Sequence, residues 1–194
     1  ELFHTQLAAL LKAGLEGPLK VMFPMVASLQ DLERALAAVE EVQRTLTLRG
    51  EAFSKNVEFG IMIETPAAAL MADELAARAA FFSVGTNDLC QYLTASDRMN
   101  PSVKPYHQDY HPAMFRALGY IARSFQAAGK PVSVCGELGG DPLAIPALVG
   151  MGICRLSMGA ASLAGAKRVI RTMRLSEARA LAAEVLQMGT HGEI

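Results

Sequence analysis

Five short apolar runs alternate along the chain with longer segments in which apolar residues recur every three or four positions. The runs predict β-strands and lie at 19–26, 57–64, 81–84, 131–137 and 153–158. The segments between them predict helices, because their apolar residues fall on one side of a helical turn. Strands that alternate with helices form a parallel sheet with right-handed connections, so the pattern predicts an α/β protein.

Several predicted helices carry a recognisable start signal. Ser28 with Asp31 begins a helix that extends to about 49, and Thr65 with Pro66 begins one that extends to about 77. The other helices are predicted at 2–13, just after 88, at 112–129, at 141–150 and, as a pair, within 163–188. The first helix follows no strand, which indicates that the sequence starts within a repeating strand–helix architecture.

The strand count favours one fold and leaves a second open. Five strands and an unpaired first helix indicate a (β/α)₈ barrel of the TIM type, of which 1–194 would form only the C-terminal five strands and their helices. Complete barrels of this type need about 250 residues. The alternative is an open, five-stranded, doubly wound sheet.

Composition and charge narrow the function classes. Hydrophobic residues make up 52% of the chain, and 18 basic and 19 acidic residues give a formal charge of −1. This balance argues against nucleic acid or an anionic membrane as a partner. Three cysteines form no CxxC pair, and no signal-peptide pattern or apolar run of membrane-spanning length is present. We therefore expect a cytoplasmic protein.

Two carboxylates follow consecutive predicted strands. Glu64 comes after the second apolar run, and Asp88 comes after the third, beyond the turn at Gly85. Ligands of parallel α/β proteins bind at the carboxyl ends of strands, and Mg²⁺ is commonly held there by one or two carboxylates. The pair therefore predicts a magnesium site. Asp88 has an alternative role as a helix N-cap, in which Gln91 completes a capping box.

Further candidates have both a functional and a structural interpretation. Arg98, at the head of a long polar loop at 95–111, suits a phosphate or carboxylate ligand, or it pairs with Asp97 or Asp109. Cys135 ends a strand and is either an acid facing the pocket or a small core residue. The four histidines, at 4, 107, 111 and 191, lack an evident catalytic partner, so structural or solvated roles are expected for them.

Five motifs, in this order and spacing, resemble the C-terminal phosphoenolpyruvate (PEP)-binding domain of Enzyme I, the PEP-protein phosphotransferase of the bacterial sugar phosphotransferase system. The motifs are VMFPM at 21–25, IETPA at 63–67, FSVGTNDL at 82–89 with QY at 91–92, DR at 97–98 and CGEL at 135–138. The resemblance covers nearly the whole chain and implies the (β/α)₈ barrel.

The resemblance also implies a chemistry and a set of roles. It makes Glu64 and Asp88 the Mg²⁺ ligands, Asn87 and Arg98 the residues that hold PEP, and Cys135 the acid that protonates the enolate to pyruvate. It implies phosphoryl transfer to a histidine of a separate N-terminal domain and then to a histidine-containing phosphocarrier protein. It also implies a homodimer formed through this domain.

Other expectations limit this interpretation. The family's first three barrel strands and its phosphoacceptor domain would lie before Glu1, so we expect the chain alone to be inactive in phosphoryl transfer. The segment GGDP at 139–142 also resembles the related pyruvate phosphate dikinases. A Mg-dependent aldolase or lyase of the same barrel group and a non-catalytic dimerisation module are the remaining alternatives.

Overall fold

A computed structural model describes all residues, 1–194, and contains one parallel sheet of five strands. The strands are β1 (Lys20–Phe23), β2 (Glu58–Ile63), β3 (Phe82–Gly85), β4 (Val132–Cys135) and β5 (Arg155–Leu156). Their order across the sheet is the order along the chain, and every neighbouring pair is parallel. A doubly wound sheet would reverse its strand order at a switch point. The sequential order therefore excludes that alternative and confirms the barrel-type fold.

Nine α-helices connect and flank the strands. They are α1 (Leu2–Ala13), α2 (Leu29–Leu48), α3 (Pro66–Leu70), α4 (Ala72–Arg78), α5 (Thr86–Leu93), α6 (Pro112–Ala127), α7 (Ile145–Gly150), α8 (Leu163–Thr172) and α9 (Leu175–Val185). Three 3₁₀ turns, Pro101–Tyr106, Glu137–Gly140 and Ala160–Ser162, lie in the connections.

The predicted helix starts are confirmed by their caps. The Ser28 hydroxyl accepts a hydrogen bond from the Asp31 amide at 3.2 Å, and the Thr65 hydroxyl accepts one from the Ala68 amide at 3.1 Å. Each cap satisfies one of the N–H groups that have no partner in the first turn. The helix predicted from Pro66 is interrupted at Met71, whose ψ of 24° is not helical, so it forms α3 and α4.

Several strands are shorter than predicted. β1 stops at Phe23 because Pro24 has no N–H for a ladder and Met25 has a positive φ of 55°. β5 contains two residues, whereas six were predicted. Apolar residues beyond these strands still pack inside, since Val26 and Ile153 are buried without belonging to the sheet.

The core lies between the sheet and its helices. Every residue of β3 is buried, and the Phe82 ring stacks on Phe125 of α6 with centroids 4.0 Å apart. α6 contributes the largest set of buried helical residues, so the sheet centre is covered most completely beside β3 and β4. No helix is both long enough and apolar enough to span a bilayer.

Candidate active site at the carboxyl end of the sheet

Glu64 is a buried carboxylate at the end of β2. Its side chain is 3% exposed, and Oε1 accepts a hydrogen bond from the Met25 backbone N–H at 2.7 Å. No lysine, arginine or histidine forms an ion pair with it. Because an ionised carboxylate is costly to bury without a compensating charge, this position favours a bound cation.

Gly85 lets that carboxylate lie directly against the backbone of β3. A β-carbon on Gly85 would lie 2.9 Å from Glu64 Oε2 and 2.8 Å from the Met62 sulfur. The φ of Gly85 is −82°, which any residue adopts, so the backbone conformation itself does not require glycine here. Glycine is required instead by the close approach of the Glu64 side chain.

The strand register places Cys135 on the opposite side of Gly85 from Glu64. Gly85 pairs with Cys135, and the residue just before Glu64 pairs with Val84. Glu64 and Cys135 therefore stand two strands apart, or about 10 Å, with a side-chain-free position between them. The carboxyl end of the sheet thus presents a carboxylate and a thiol on either side of Gly85.

Cys135 is half-buried at the strand end. Its thiol donates to the Val84 carbonyl across the sheet at 3.4 Å. The side chain is therefore not enclosed in the core, unlike Cys90, which has no exposed surface. The thiol thus lies at the partly exposed end of β4.

The first turn of α5 is tied to the end of β4. The Thr86 hydroxyl donates to the Cys135 carbonyl at 3.1 Å, and Asn87 Oδ1 accepts from the Glu137 backbone N–H at 3.2 Å. Gly136 has a positive φ of 110°, and a β-carbon there would lie 2.6 Å from Asn87 Oδ1. Glycine at 136 therefore allows the helix to approach the strand, and the Asn87 amide NH₂ remains available to a ligand.

Asp88 and Arg98 form an ion pair at the rim. Arg98 Nη2 lies 3.5 Å from Asp88 Oδ1, with side chains 41% and 33% exposed. Exposed pairs of this kind contribute at most about 1 kcal/mol to stability, so both groups can turn towards a ligand at little cost.

The structural alternatives for these two residues are wrong. α5 begins at Thr86, so Asp88 lies in its first turn and is not the N-cap. Gln91 Oε1 accepts from the Arg98 backbone N–H at 3.0 Å and completes no capping box. The carboxylate of Asp97 accepts from the Met99 N–H at 2.9 Å, and Arg98 pairs with neither Asp97 nor Asp109.

Two cavities open at this end of the sheet, and neither is lined by Glu64, Asp88 or Cys135. The smaller, of about 170 Å³, is lined by Asn87, Arg98, His107, Asp109 and Glu137. The larger, of about 530 Å³, is lined by Gly136, Glu137, Gly140, Asp141, Ser157, Met158, Gly159 and Ser162. Glu137 borders both cavities, so the two spaces adjoin at the carboxyl ends of β3 to β5.

The sequence did not predict several residues that line the two cavities. His107 was expected to be structural or solvated, yet it lines the smaller cavity with Asn87 and Arg98. Ser157 and Ser162 were not singled out, although they line the larger cavity. The available signals were the position of His107 in the long polar loop, of Ser157 near the end of the last predicted strand, and of Ser162 just after it.

Asp141 holds the 95–111 loop against the sheet end. Tyr110 donates its hydroxyl to Asp141 Oδ2 at 2.7 Å, while Asp141 Oδ1 accepts from the Leu143 N–H at 2.9 Å. Burial, followed by the hydrogen bond to Asp141, raises the pKa of Tyr110 well above its ordinary value. The phenol therefore stays protonated and keeps donating this bond across the physiological range.

Comparisons with known proteins agree on one family. Residues 1–175 match the family model described as the PEP-binding domain of PEP-utilising enzymes. The PEP-protein phosphotransferase of Geobacillus stearothermophilus is 42% identical over 194 residues, which are 100% of this chain and 34% of that protein. The protein of the same name from Bacillus subtilis is 41% identical with the same coverage. The chain thus spans about a third of the length of these relatives.

A solved structure resembles the fold. The crystal structure of a citrate lyase from Burkholderia xenovorans aligns with a TM-score of 0.61 and 17% sequence identity. The alignment covers 95% of this chain and 67% of that chain. At this identity the similarity supports the architecture alone.

Proposed function

The chain belongs to the PEP-utilising enzyme family, of which it is a PEP-binding domain, and we propose that it forms the PEP site of a PEP-protein phosphotransferase for bacterial sugar uptake. The observation that carries this proposal is the buried carboxylate of Glu64, which forms no ion pair with a basic side chain and lies against Gly85. The site would take a phosphoryl group from PEP, pass it to a protein histidine and release pyruvate.

Glu64 and Asp88 are the proposed Mg²⁺ ligands. Their oxygens match the ligand chemistry of Mg²⁺, and Glu64 Oε2 has no hydrogen-bond partner in the protein. A bound Mg²⁺ ion would supply positive charge to the phosphate and carboxylate of PEP. Asp88 also pairs with Arg98, so a carboxylate and a guanidinium lie together at the rim of the proposed site.

Asn87 and Arg98 are proposed to hold the substrate. Asn87 is fixed through its carbonyl oxygen, which leaves its amide NH₂ to donate to a phosphate or carboxylate oxygen. Arg98 presents a planar guanidinium with paired donors that fit such oxygens. Phosphoryl transfer depends chiefly on positioning and charge neutralisation, which these two side chains provide without covalent participation.

Cys135 is proposed to be the general acid. Its Sγ lies at the end of β4, on the other side of Gly85 from Glu64. As the phosphoryl group leaves, the thiol proton would pass from Sγ to the methylene carbon of the three-carbon unit and complete the methyl group of pyruvate. The Val84 carbonyl orients the thiol beforehand.

The remaining parts of the reaction are proposed to come from a longer protein. The sheet is open, since β1 and β5 each pair on one side only, and further barrel strands would continue it. The phosphoacceptor histidine would belong to a separate N-terminal domain and deliver the group to a histidine-containing phosphocarrier protein. We further propose that the protein is a homodimer. We also propose that it is cytoplasmic, in keeping with three cysteines that are all free thiols.

Phosphoryl transfer from labelled PEP to the protein histidine, measured in the longer protein with Mg²⁺, tests this function. The Arg98→Gln variant should weaken PEP binding about 10–100-fold, because it removes charge-assisted hydrogen bonds. Arg171→Gln, at an exposed position on α8, is the matched control and should behave like the parent protein. Unchanged PEP affinity in Arg98→Gln, or no transfer in the parent protein, would reject the proposal.

A further inference from the structure

Three side chains with different donor atoms meet at the inner side of the 95–111 loop. One ligand atom each from Cys90, His107 and Asp109 lies within 4.8 Å of the other two. Cys90 belongs to α5 and has no exposed surface, whereas His107 and Asp109 come from the loop. The cluster therefore joins the helix that carries Asn87 and Asp88 to the loop that carries Arg98.

His107 is incompletely satisfied by the protein. Its Nδ1 is buried and makes no hydrogen bond, and its Nε2 lies 3.8 Å from Asp109 Oδ1. A buried nitrogen without a hydrogen-bond partner is uncommon in native structures and indicates a position where an ion or a water molecule can bind. The imidazole thus has coordinating capacity that the protein itself does not use.

We propose that Cys90, His107 and Asp109 bind a zinc-class divalent cation that fastens the loop to α5. Zn²⁺ is typically bound by a combination of sulfur, nitrogen and oxygen atoms. Mg²⁺ is bound by oxygen atoms, so this set of ligands favours Zn²⁺ over Mg²⁺. A tetrahedral Zn²⁺ places neighbouring ligand atoms about 3.3–3.7 Å apart. The three ligand atoms already lie within 4.8 Å of one another, so small side-chain rotations reach that spacing, and the half-exposed Asp109 side chain has this freedom.

Entry and charge balance are compatible with this site. His107 and Asp109 line the cavity of about 170 Å³, which gives an ion a path and leaves the fourth position to water. The Cys90 thiol now donates to the Gln108 carbonyl at 3.4 Å. On metal binding its proton would leave to solvent, and the thiolate and Asp109 carboxylate would balance the two charges of the ion.

Co²⁺ is the appropriate probe because it replaces Zn²⁺ in such sites and absorbs through a thiolate-to-metal charge-transfer band. Titration of the 194-residue chain with Co²⁺ should give this band at one ion per chain, and Zn²⁺ should abolish it. Excess Mg²⁺ should leave it unchanged. No band at millimolar Co²⁺ would overturn the proposal.

Variants assign the ligands. Cys90→Ala should remove the band, and Asp109→Asn, at a half-exposed position with little effect on folding, should weaken Co²⁺ binding at least 10-fold. Cys154→Ser and Cys135→Ser are the matched thiol controls and should keep the band. Loss of the band in either control, or its persistence in Cys90→Ala, would assign the ion elsewhere.

Glu64→Gln separates this inference from the proposed function. The variant should keep the Co²⁺ spectrum unchanged, because Glu64 is not among the three ligands. Loss of Mg²⁺ binding together with a retained Co²⁺ band would show two independent sites, whereas joint loss would reject the loop site.

Discussion

Gly85 and Glu64 are in direct contact across two neighbouring strands: a β-carbon on Gly85 would stand 2.9 Å from Glu64 Oε2 and 3.1 Å from Glu64 Cβ. The carboxylate thus occupies the space that a side chain at 85 would need. Because Gly85 has no side chain, the Glu64 carboxylate can take this position.

The Gly85→Ala variant should therefore damage the site without removing any of its polar groups. The added methyl group must push the Glu64 carboxylate aside, so we expect at least a 10-fold loss of Mg²⁺ affinity in calorimetric titration. Overpacking of this kind costs about 1–3 kcal/mol of unfolding free energy, measurable by chemical denaturation. Gly17→Ala is the control, because nothing lies within 4 Å of a β-carbon there.

Glu64→Gln should separate metal binding from stability. The amide oxygen can still accept from the Met25 N–H, while the uncompensated buried charge is removed. We expect Mg²⁺ binding to be lost and the metal-free unfolding free energy to stay constant or rise, by up to about 2 kcal/mol. A marked loss of stability in metal-free denaturation would mean that the carboxylate charge itself holds the fold.

Cys135→Ala tests the proposed acid. Exchange of the pyruvate methyl hydrogens with solvent, followed by NMR in the longer protein, should slow by about 10²–10⁴-fold, the usual contribution of a general acid–base group. Mg²⁺ affinity should stay within about twofold of the parent, because Cys135 is not a proposed ligand. The exposed Cys154 provides the matched Cys154→Ala control. An unaltered exchange rate would leave Cys135 with a structural role.

Tyr110→Phe should loosen the loop. The lost hydrogen bond to the Asp141 carboxylate contributes about 1–2 kcal/mol, and amide hydrogen exchange within 95–111 should accelerate accordingly. Since burial raises the pKa of Tyr110 above its ordinary 10.0, this contribution is present below pH 10 and is lost as the pH rises further. Tyr106→Phe, in the same loop and exposed, is the control and should change neither quantity.

The cysteines should react in a defined order. Burial, reinforced by Asp109, raises the pKa of the Cys90 thiol from 9.0 to about 11, whereas Cys154 is exposed. Below pH 9 a thiol reagent should label Cys154 while Cys90 stays unmodified, as followed by mass spectrometry of proteolytic peptides from the labelled protein. Labelling of Cys90 at the rate of Cys154 would contradict its burial.

Most of the fold could be predicted from the sequence because helix caps and apolar periodicity depend on residues that are close together in the chain. The caps at Ser28 and Thr65 and the apolar periodicity of α2 and α6 depend on residues close in sequence, and all four predictions are confirmed. Strand ends were less accessible, since β5 is limited by its pairing with β4 and not by its own apolar residues. The break at Met71 has no local signal of this kind.

Only part of the candidate site could be predicted from the sequence, because only some of its residues have a local sequence signal. Glu64, Asp88 and Cys135 were identifiable because each follows an apolar run. The pairing of Arg98 with Asp88 was not predicted, because it depends on how the loop returns over α5. The cluster of Cys90, His107 and Asp109 was equally invisible, since the sequence gives no indication that the buried face of a helix meets these loop residues.

The pairing of β3 with β4 has a consequence for the kinetics of folding. It joins positions about 50 residues apart, as between Phe82 and Val132, whereas the other strand pairings join positions nearer in sequence. Closing the longest loop costs the most chain entropy before its contacts compensate for it. We therefore expect β1 to β3 to form one early folding unit and β4 and β5 with their helices to form another. The pairing of Gly85 with Cys135 would then form only in the last step.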